Sequence, residues 1–208
     1  MNLSLDIGGI DAAKAAIPDS RKVKRTMSMA LNRAAEWGRT RSAEQILEEL
    51  ALPPGYVSPR QGRLVVSAKA SEKNLEARIR ARRRPTSLAR YLVSWTRSTG
   101  ALVKVAPGKT RRMKSAFPVK LRRGRTLTDT QHNLGLAIRL RKGKKPYKKT
   151  IAVPMYKGRD TNVYLLYAPS IQQAFLANAG TGVAKDLSDA IARKAESEFF
   201  RILDARKG

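Results

Sequence analysis

The stretch LEARIRARRR, residues 75–84, decides the fold class, because its apolar residues are spaced differently from those at both ends of the chain. From Leu75 to Ala81, apolar side chains occupy every second position and charged side chains lie between them. This alternation predicts a β-strand with one apolar face and one charged face. The run Arg82-Arg83-Arg84-Pro85 ends the strand.

The N-terminal part of the chain has apolar residues at helical spacing. A long helix is predicted from about residue 19 to residue 50, with Asp19 or Ser20 as its N-cap. Pro53-Pro54 stops it, because proline cannot continue a helix. Residues 10–17, which are rich in alanine, are predicted to form a short helix of their own.

The C-terminal part is also predicted to be helical. Residues 170–177 form a short helix, Gly180-Thr181-Gly182 breaks it, and an amphipathic helix follows from Val183 to Leu203. Asp186 near its start and Arg206 near its end match the helix dipole. The candidate residues for contact between subunits form the apolar stripe of this helix: Val183, Leu187, Ile191, Phe199 and Ile202.

Several further strands are predicted between the terminal helices, at residues 101–105, 117–121, 136–140, 151–154 and 163–167. Basic loops are predicted to separate them, at residues 107–114, 122–125 and 141–149. The order of helix, strands and helix predicts an α+β fold in which the long N-terminal helix and the C-terminal amphipathic helix pack on a mainly antiparallel sheet with extended basic loops.

The length predicts one α+β domain over residues 1–208, with three regions. These are an N-terminal helical region (1–55), a basic β-rich region (56–168) and a C-terminal helical region (169–208). The first ten residues lack the cationic start and apolar run of a signal peptide, and no window is apolar enough to span a membrane, so no membrane association is expected.

Positive charge is concentrated in the middle of the chain. Residues 60–149 hold 27 of the 43 Lys and Arg but only three of the 16 acids, so they carry +24 of the net +27. A field of this strength requires a polyanion or an acidic protein surface as partner. The candidate contacts are the cations of the alternating strand and of the basic loops: Arg78, Arg80, Arg82, Arg83, Arg84, Lys109, Arg111, Arg112, Lys114, Arg122, Arg123, Arg125, Lys142, Lys144, Lys145, Lys148 and Lys149.

Residue types suited to catalysis or metal binding are scarce. The chain has no Cys and one His, His132, in a polar segment, and it has no close group of acids. We therefore predict no catalytic residues, no metal site and no cofactor. Trp95, Tyr91 and Phe117 are candidates for stacking on bases, although a role as core or interface anchors is favoured. No motif that reads a base sequence is present, so contact with DNA is expected to involve phosphates.

Three segments together resemble the minor tail protein Z family, the tail-completion or neck proteins of long-tailed bacteriophages. They are the helix around MALNRAA (29–35), the alternating strand at 75–84, and YAPS (167–170) through Phe175 followed by the amphipathic helix. The segment 122–149 looks longer than the family's pattern.

The resemblance implies a structural virion protein, not an enzyme, that completes the head-proximal end of the tail and helps head–tail joining and DNA passage. Its implied partners are the tail terminator and connector proteins and further copies of itself in a ring, with non-specific contact to packaged DNA. It would be made in the host cytoplasm and reside in the virion. The alternative from charge alone is a sequence-independent nucleic-acid-binding protein acting through its basic centre.

Overall fold

The computed structural model describes residues 20–122, 133–141, 144–146, 151–155, 162–179 and 183–205. Its helices are α1 (Ser20–Glu49), α2 (Ile171–Ala179) and α3 (Val183–Asp204). These three helices confirm the predicted ones to within two residues at each end. The short helix predicted at 10–17 and the break at 180–182 lie outside the described residues.

All strand pairs in the described residues are antiparallel, so the chain has the α+β fold that the sequence predicts. The strands are β1 (Leu64–Ala68), β2 (Arg78–Ala81), β3 (Thr86–Ser87), β4 (Leu92–Thr96), β5 (Gly100–Ala106), β6 (Lys109–Met113), β7 (Ala116–Lys120), β8 (Leu134–Arg139), β9 (Ile151–Pro154) and β10 (Val163–Ala168).

The chain forms two compact units. The first comprises residues 1–45, 57–82 and 175–208, and the second comprises residues 46–56 and 83–174. The first unit contains residues from all three predicted regions, and the division into these regions stays a prediction.

The core of the first unit lies between α1 and α3. Val23, Met27 and Ala30 on α1 recur at helical spacing and pack with Phe199 and Ile202 on α3. A second cluster continues this contact and contains Leu31, Ala34, Ala70, Leu187, Ile191 and Ala195. Burial of these complementary apolar stripes is the main force that holds the two helices together.

The strand predicted from Leu75 is shorter than expected. Pairing in β2 begins at Arg78, with Ile79 opposite Val66 of β1. Leu75 and Ala77 lie before the strand and pack against the helical core instead. The alternation over residues 75–81 therefore reflects one buried face, whereas backbone pairing covers only the second half of this stretch. The sequence did not predict β1, because LVVSA has no alternation of apolar and polar residues.

The second unit contains the larger sheet. Its strand order is β3-β10-β8-β7, and β9 also pairs with β10. Strands β5, β7, β8, β9 and β10 confirm the five predicted between the helices to within two residues at each end. Leu136 on β8 and Leu166 on β10 are almost fully buried and form part of its core.

A three-stranded sheet with the order β4-β5-β6 completes the second unit. The loop predicted at 107–114 is wrong, because Lys109 to Met113 form β6, which pairs with β5. Only the two residues Pro107-Gly108 make the turn, and Gly108 has the left-handed φ of 74° that glycine tolerates. The sequence concealed this strand because Lys109 to Arg112 are all exposed and give no apolar alternation.

Candidate nucleic-acid interface

The second unit exposes an uninterrupted set of cations. Residues 83–122 contain eleven Lys and Arg and no Asp or Glu. All of these cations are exposed except Arg90, which is half-buried with its guanidinium 5.7 Å from the centre of the Tyr56 ring. Because no carboxylate lies in this segment to neutralise them, these side chains generate a positive potential directed at solvent.

Strand β6 concentrates this charge on a sheet edge. Arg111 lies opposite Val103 and Arg112 lies opposite Leu102, so the two arginines project from opposite faces of the sheet. Lys109 is exposed at the start of the same strand. Cations on an edge strand also discourage edge-to-edge pairing with another chain, so β6 is better suited to binding an anionic surface than to extending a sheet.

The predicted contacts that precede residue 83 belong to the first unit. Arg78 forms a two-point ion pair with Glu76, with distances of 2.6 and 2.8 Å from Nε and Nη2 to the two carboxylate oxygens. The hydrogen bond from Arg78 lowers the pKa of the Glu76 carboxyl from its ordinary value. The guanidinium of Arg78 is therefore already paired with Glu76, although the residue is exposed. Arg80 is also exposed, and Arg82 is partly buried.

The remaining predicted contacts belong to the second unit. Those that the structure describes are all exposed: Arg83, Arg84, Lys109, Arg111, Arg112, Lys114, Arg122, Lys144 and Lys145. The backbone N–H of Lys144 donates to the carbonyl of Arg141 over 3.0 Å, as expected for the turn predicted there. Arg123, Arg125, Lys142, Lys148 and Lys149 lie outside the described residues.

The apolar stripe of α3 does not form an exposed subunit interface. Leu187, Ile191, Phe199 and Ile202 are 8%, 1%, 7% and 6% exposed and pack against α1 of the same chain. Val183 begins α3, but its side chain lies outside the described residues. Apolar residues have the same helical spacing whether their stripe is buried within a subunit or between subunits, so the sequence could not distinguish the two cases.

The sequence did not predict an ion-pair network in the first unit that surrounds one buried carboxylate with three partly exposed cations. The Glu198 carboxylate accepts from Arg33 over 3.0 Å and from Arg201 over 2.8 Å, and it lies 3.0 Å from the Lys194 ammonium. The Glu198 side chain is only 11% exposed. Lys194 and Arg201 stand at helical spacing from Glu198 and were visible in the sequence, but Arg33 is 165 positions away.

The motif MALNRAA that carries part of the family resemblance has a structural role in this chain. Ala30 and Ala34 are buried at the contact with α3. Asn32 donates to the carbonyl of Ala70 over 2.9 Å and accepts from the Ala70 N–H over 2.7 Å. The Asn32 side chain thus fixes the segment after β1 against α1.

The structure separates the three aromatic candidates for stacking. Tyr91 is 2% exposed and belongs to the core, where burial and the neighbouring Tyr56 raise the pKa of its phenol above the ordinary value of 10.0. Trp95 is 40% exposed on β4. Phe117 is half-buried on β7.

Trp95 and Phe117 line one shallow groove of about 550 Å³ in the second unit. Arg97, Lys114 and Arg139 also line it, together with Ser115 and Ala116. The indole N–H of Trp95 donates to the carbonyl of Ala116 over 3.0 Å. This groove joins exposed aromatic surface to three cations, and Arg97 and Arg139 were not among the predicted contacts.

Within the part of the chain that the structure describes, no three His, Cys, Asp or Glu side chains are grouped so that they could hold a metal ion. None of the described helices is long and apolar enough to cross a membrane. Comparisons with protein-family models, curated proteins and solved structures gave no match to this chain.

Proposed function

We propose that this protein is a structural component of a tailed bacteriophage virion, acting at the head-proximal end of the tail in a ring that joins head and tail. The observation that carries the proposal is the one-signed surface of residues 83–122 in the second unit, which hold eleven cations and no acid. In the assembled particle this surface faces packaged DNA or acidic surfaces of the terminator and connector proteins.

Ring symmetry makes such a surface effective. Each copy in a closed ring presents the same patch at the same radius, so the positive potential of β6 is repeated around the channel. The cations hold phosphates and read no base sequence, which suits DNA that passes through whatever its sequence.

Contact between subunits uses surfaces other than the α3 stripe. Phe200 is 45% exposed and Val93 is 56% exposed, whereas the stripe itself is buried within the subunit. An exposed aromatic ring such as that of Phe200 supplies an anchor when a neighbouring copy covers it.

The first test is quantitative mass spectrometry of purified phage particles, scaled to the tail-tube and portal proteins. The expected result is a fixed, low copy number per particle, because a closed ring holds a set number of subunits. Absence of the protein from particles would refute the virion role.

A second test reverses charge on β6 with the double substitution R111E/R112E. We expect particles with unjoined heads and tails and a large loss of infectivity. The matched control is K24E/R25E, which makes the same charge change at two exposed positions of α1. Equal infectivity of the two variants would contradict the role given to β6.

The second candidate function is sequence-independent binding of nucleic acid outside any virion. The groove beside Trp95 favours it, since aromatic surface among cations is typical of single-strand binding. Recovery of the protein on nucleic acid, with none in particles, would support this function over the first.

A further inference from the structure

We propose that the groove beside Trp95 binds single-stranded nucleic acid, with a base stacked on the indole ring and the adjoining phosphates held by Arg97, Lys114 and Arg139. This goes beyond the proposed virion role, which requires only contact between β6 and duplex phosphates or acidic protein. The two proposals can fail separately, because one concerns the place of the protein and the other the ligand of one groove.

The indole ring is fixed in place before any ligand binds. The Trp95 N–H is engaged by the Ala116 carbonyl at 3.0 Å, and Trp95 lies opposite Ala101 in the β4–β5 pair. The ring therefore has no free hydrogen-bond donor and offers a ligand only its π face and carbon edge. Such a surface favours stacking on any base and cannot select a base by hydrogen bonding.

The turn that carries Arg97 is also well defined. Residues 97–99 connect β4 to β5, and Thr96 accepts from the Thr99 N–H over 3.0 Å. Gly100 follows with a φ of 75°, and a Cβ at this position would overlap the carbonyl oxygens of Met113 and Lys114. The close approach allowed by glycine brings the β4–β5 turn against the backbone of Lys114.

The other cations of the groove come from the neighbouring sheet. Lys114 precedes β7, and Arg139 ends β8 beside it, since Ala116 pairs with Ile138. Arg97, Lys114 and Arg139 are all exposed, and no carboxylate is among the described residues that line the groove. In an extended single strand, phosphates can contact the three cations while a base stacks on the indole ring. Duplex DNA keeps its bases stacked inside, so they cannot reach the ring.

An acidic peptide is the competing ligand, since it also complements three cations. The exposed indole, with its N–H already engaged, favours the nucleic acid because every base supplies a flat π face next to each phosphate. Carboxylate side chains alone gain nothing from the ring. The test below therefore includes an acidic peptide as one arm.

The experiment measures binding of an oligothymidylate of about eight nucleotides, a length within the usual site sizes for single-strand binding. The full-length protein carries W37F, so that Trp95 is its sole tryptophan and its fluorescence reports the groove. Stacking is expected to quench this fluorescence on titration. Binding without any quenching would overturn the proposal.

Substitutions provide the second readout. W95L is expected to weaken oligothymidylate binding by about 5-fold to 150-fold, the range that one stacked base contributes. The matched control L47A changes an apolar residue of α1 that is as exposed as Trp95 and does not line the groove, and it is expected to bind within about twofold of the unchanged protein. If W95L lowers the thermal midpoint, W95F is used in its place. Its expected loss of oligothymidylate binding is smaller, because phenylalanine keeps a stacking face.

Charge is tested by the salt dependence of binding. R97Q is expected to reduce the log–log slope by about 0.7, the contribution of one single-strand phosphate. R25Q removes an equally exposed arginine of α1 and is expected to leave the slope unchanged. A glutamate octapeptide that displaces the oligonucleotide at equal concentration, or W95L binding as tightly as the unchanged protein, would refute the single-strand assignment.

Discussion

Replacing Gly38 by alanine tests the packing of α1 on α3. Gly38 is a buried helical residue, and an added Cβ would lie 2.5 Å from Cδ1 and 2.8 Å from Cγ1 of Ile191. In an exposed helix the same change stabilises by about 1 kcal/mol, because alanine has the higher helix propensity. At position 38 the gain in helix propensity is opposed by the overlap with Ile191, so the sign of the change in stability shows which effect is larger.

The magnitude follows from how far Ile191 can move. Its side chain is 1% exposed in close packing, and β-branching restricts the χ1 rotation that would move Cγ1 away. Overpacking of this kind costs about 1–3 kcal/mol. Set against the gain of about 1 kcal/mol from propensity, G38A is expected to destabilise the protein by up to about 2 kcal/mol.

The assay is urea unfolding followed by circular dichroism, with I191V as the second half of a double-mutant cycle. Valine lacks Cδ1, the nearest atom, so I191V is expected to relieve part of the cost of G38A, with a coupling of about 1 kcal/mol. T40A is the control, since it places alanine at an exposed position of α1 two residues away and is expected to stabilise slightly. A more stable G38A protein, or no coupling with I191V, would refute the close packing described here.

Three further changes test other features of the fold. E198Q should destabilise the protein by about 1–3 kcal/mol, because three cations then face one another without a carboxylate, whereas E196Q at an exposed position should have little effect; urea unfolding compares them. N32D should unfold at a lower temperature than the unchanged protein, and at a temperature no higher than N32A, because a carboxylate cannot donate to the Ala70 carbonyl. A thermal midpoint of N32D equal to that of the unchanged protein would contradict this. Y91F should remove an alkaline loss of stability: the raised pKa keeps the folded phenol protonated while the unfolded one ionises, so stability is complete below pH 10 and falls as pH rises above it. Thermal midpoints at pH 8 and pH 11 measure it, and equal losses in both proteins would exclude Tyr91 as the source.

The helices and the charge distribution were determined by local sequence. α1 was predicted because its apolar residues recur at helical spacing between a capping residue and two prolines. Strand β8 was predicted for the same kind of reason, because Leu136, Ile138 and Leu140 recur at every second position. These features depend on residues a few positions apart, so they can be recognised in the sequence alone.

The strands without a period needed partners from elsewhere in the chain. β6 is a strand because its backbone pairs with β5, although Lys109 to Arg112 are all exposed. Backbone hydrogen bonds depend on the neighbouring strand and the turn, and they leave no trace in the side-chain pattern of an edge strand exposed on both faces.

Which side chains are buried or brought together was decided only by the tertiary structure. The α3 stripe was visible in the sequence, but its burial against α1 was not. Glu198 meets Arg33 across 165 positions, and the groove at Trp95 gathers Arg97, Lys114 and Arg139 from three different segments. The sequence by itself determined the period and the total charge, because both are properties of neighbouring residues. The structure decided which charges remain free to act, because pairing and exposure depend on distances in space between residues far apart in the chain.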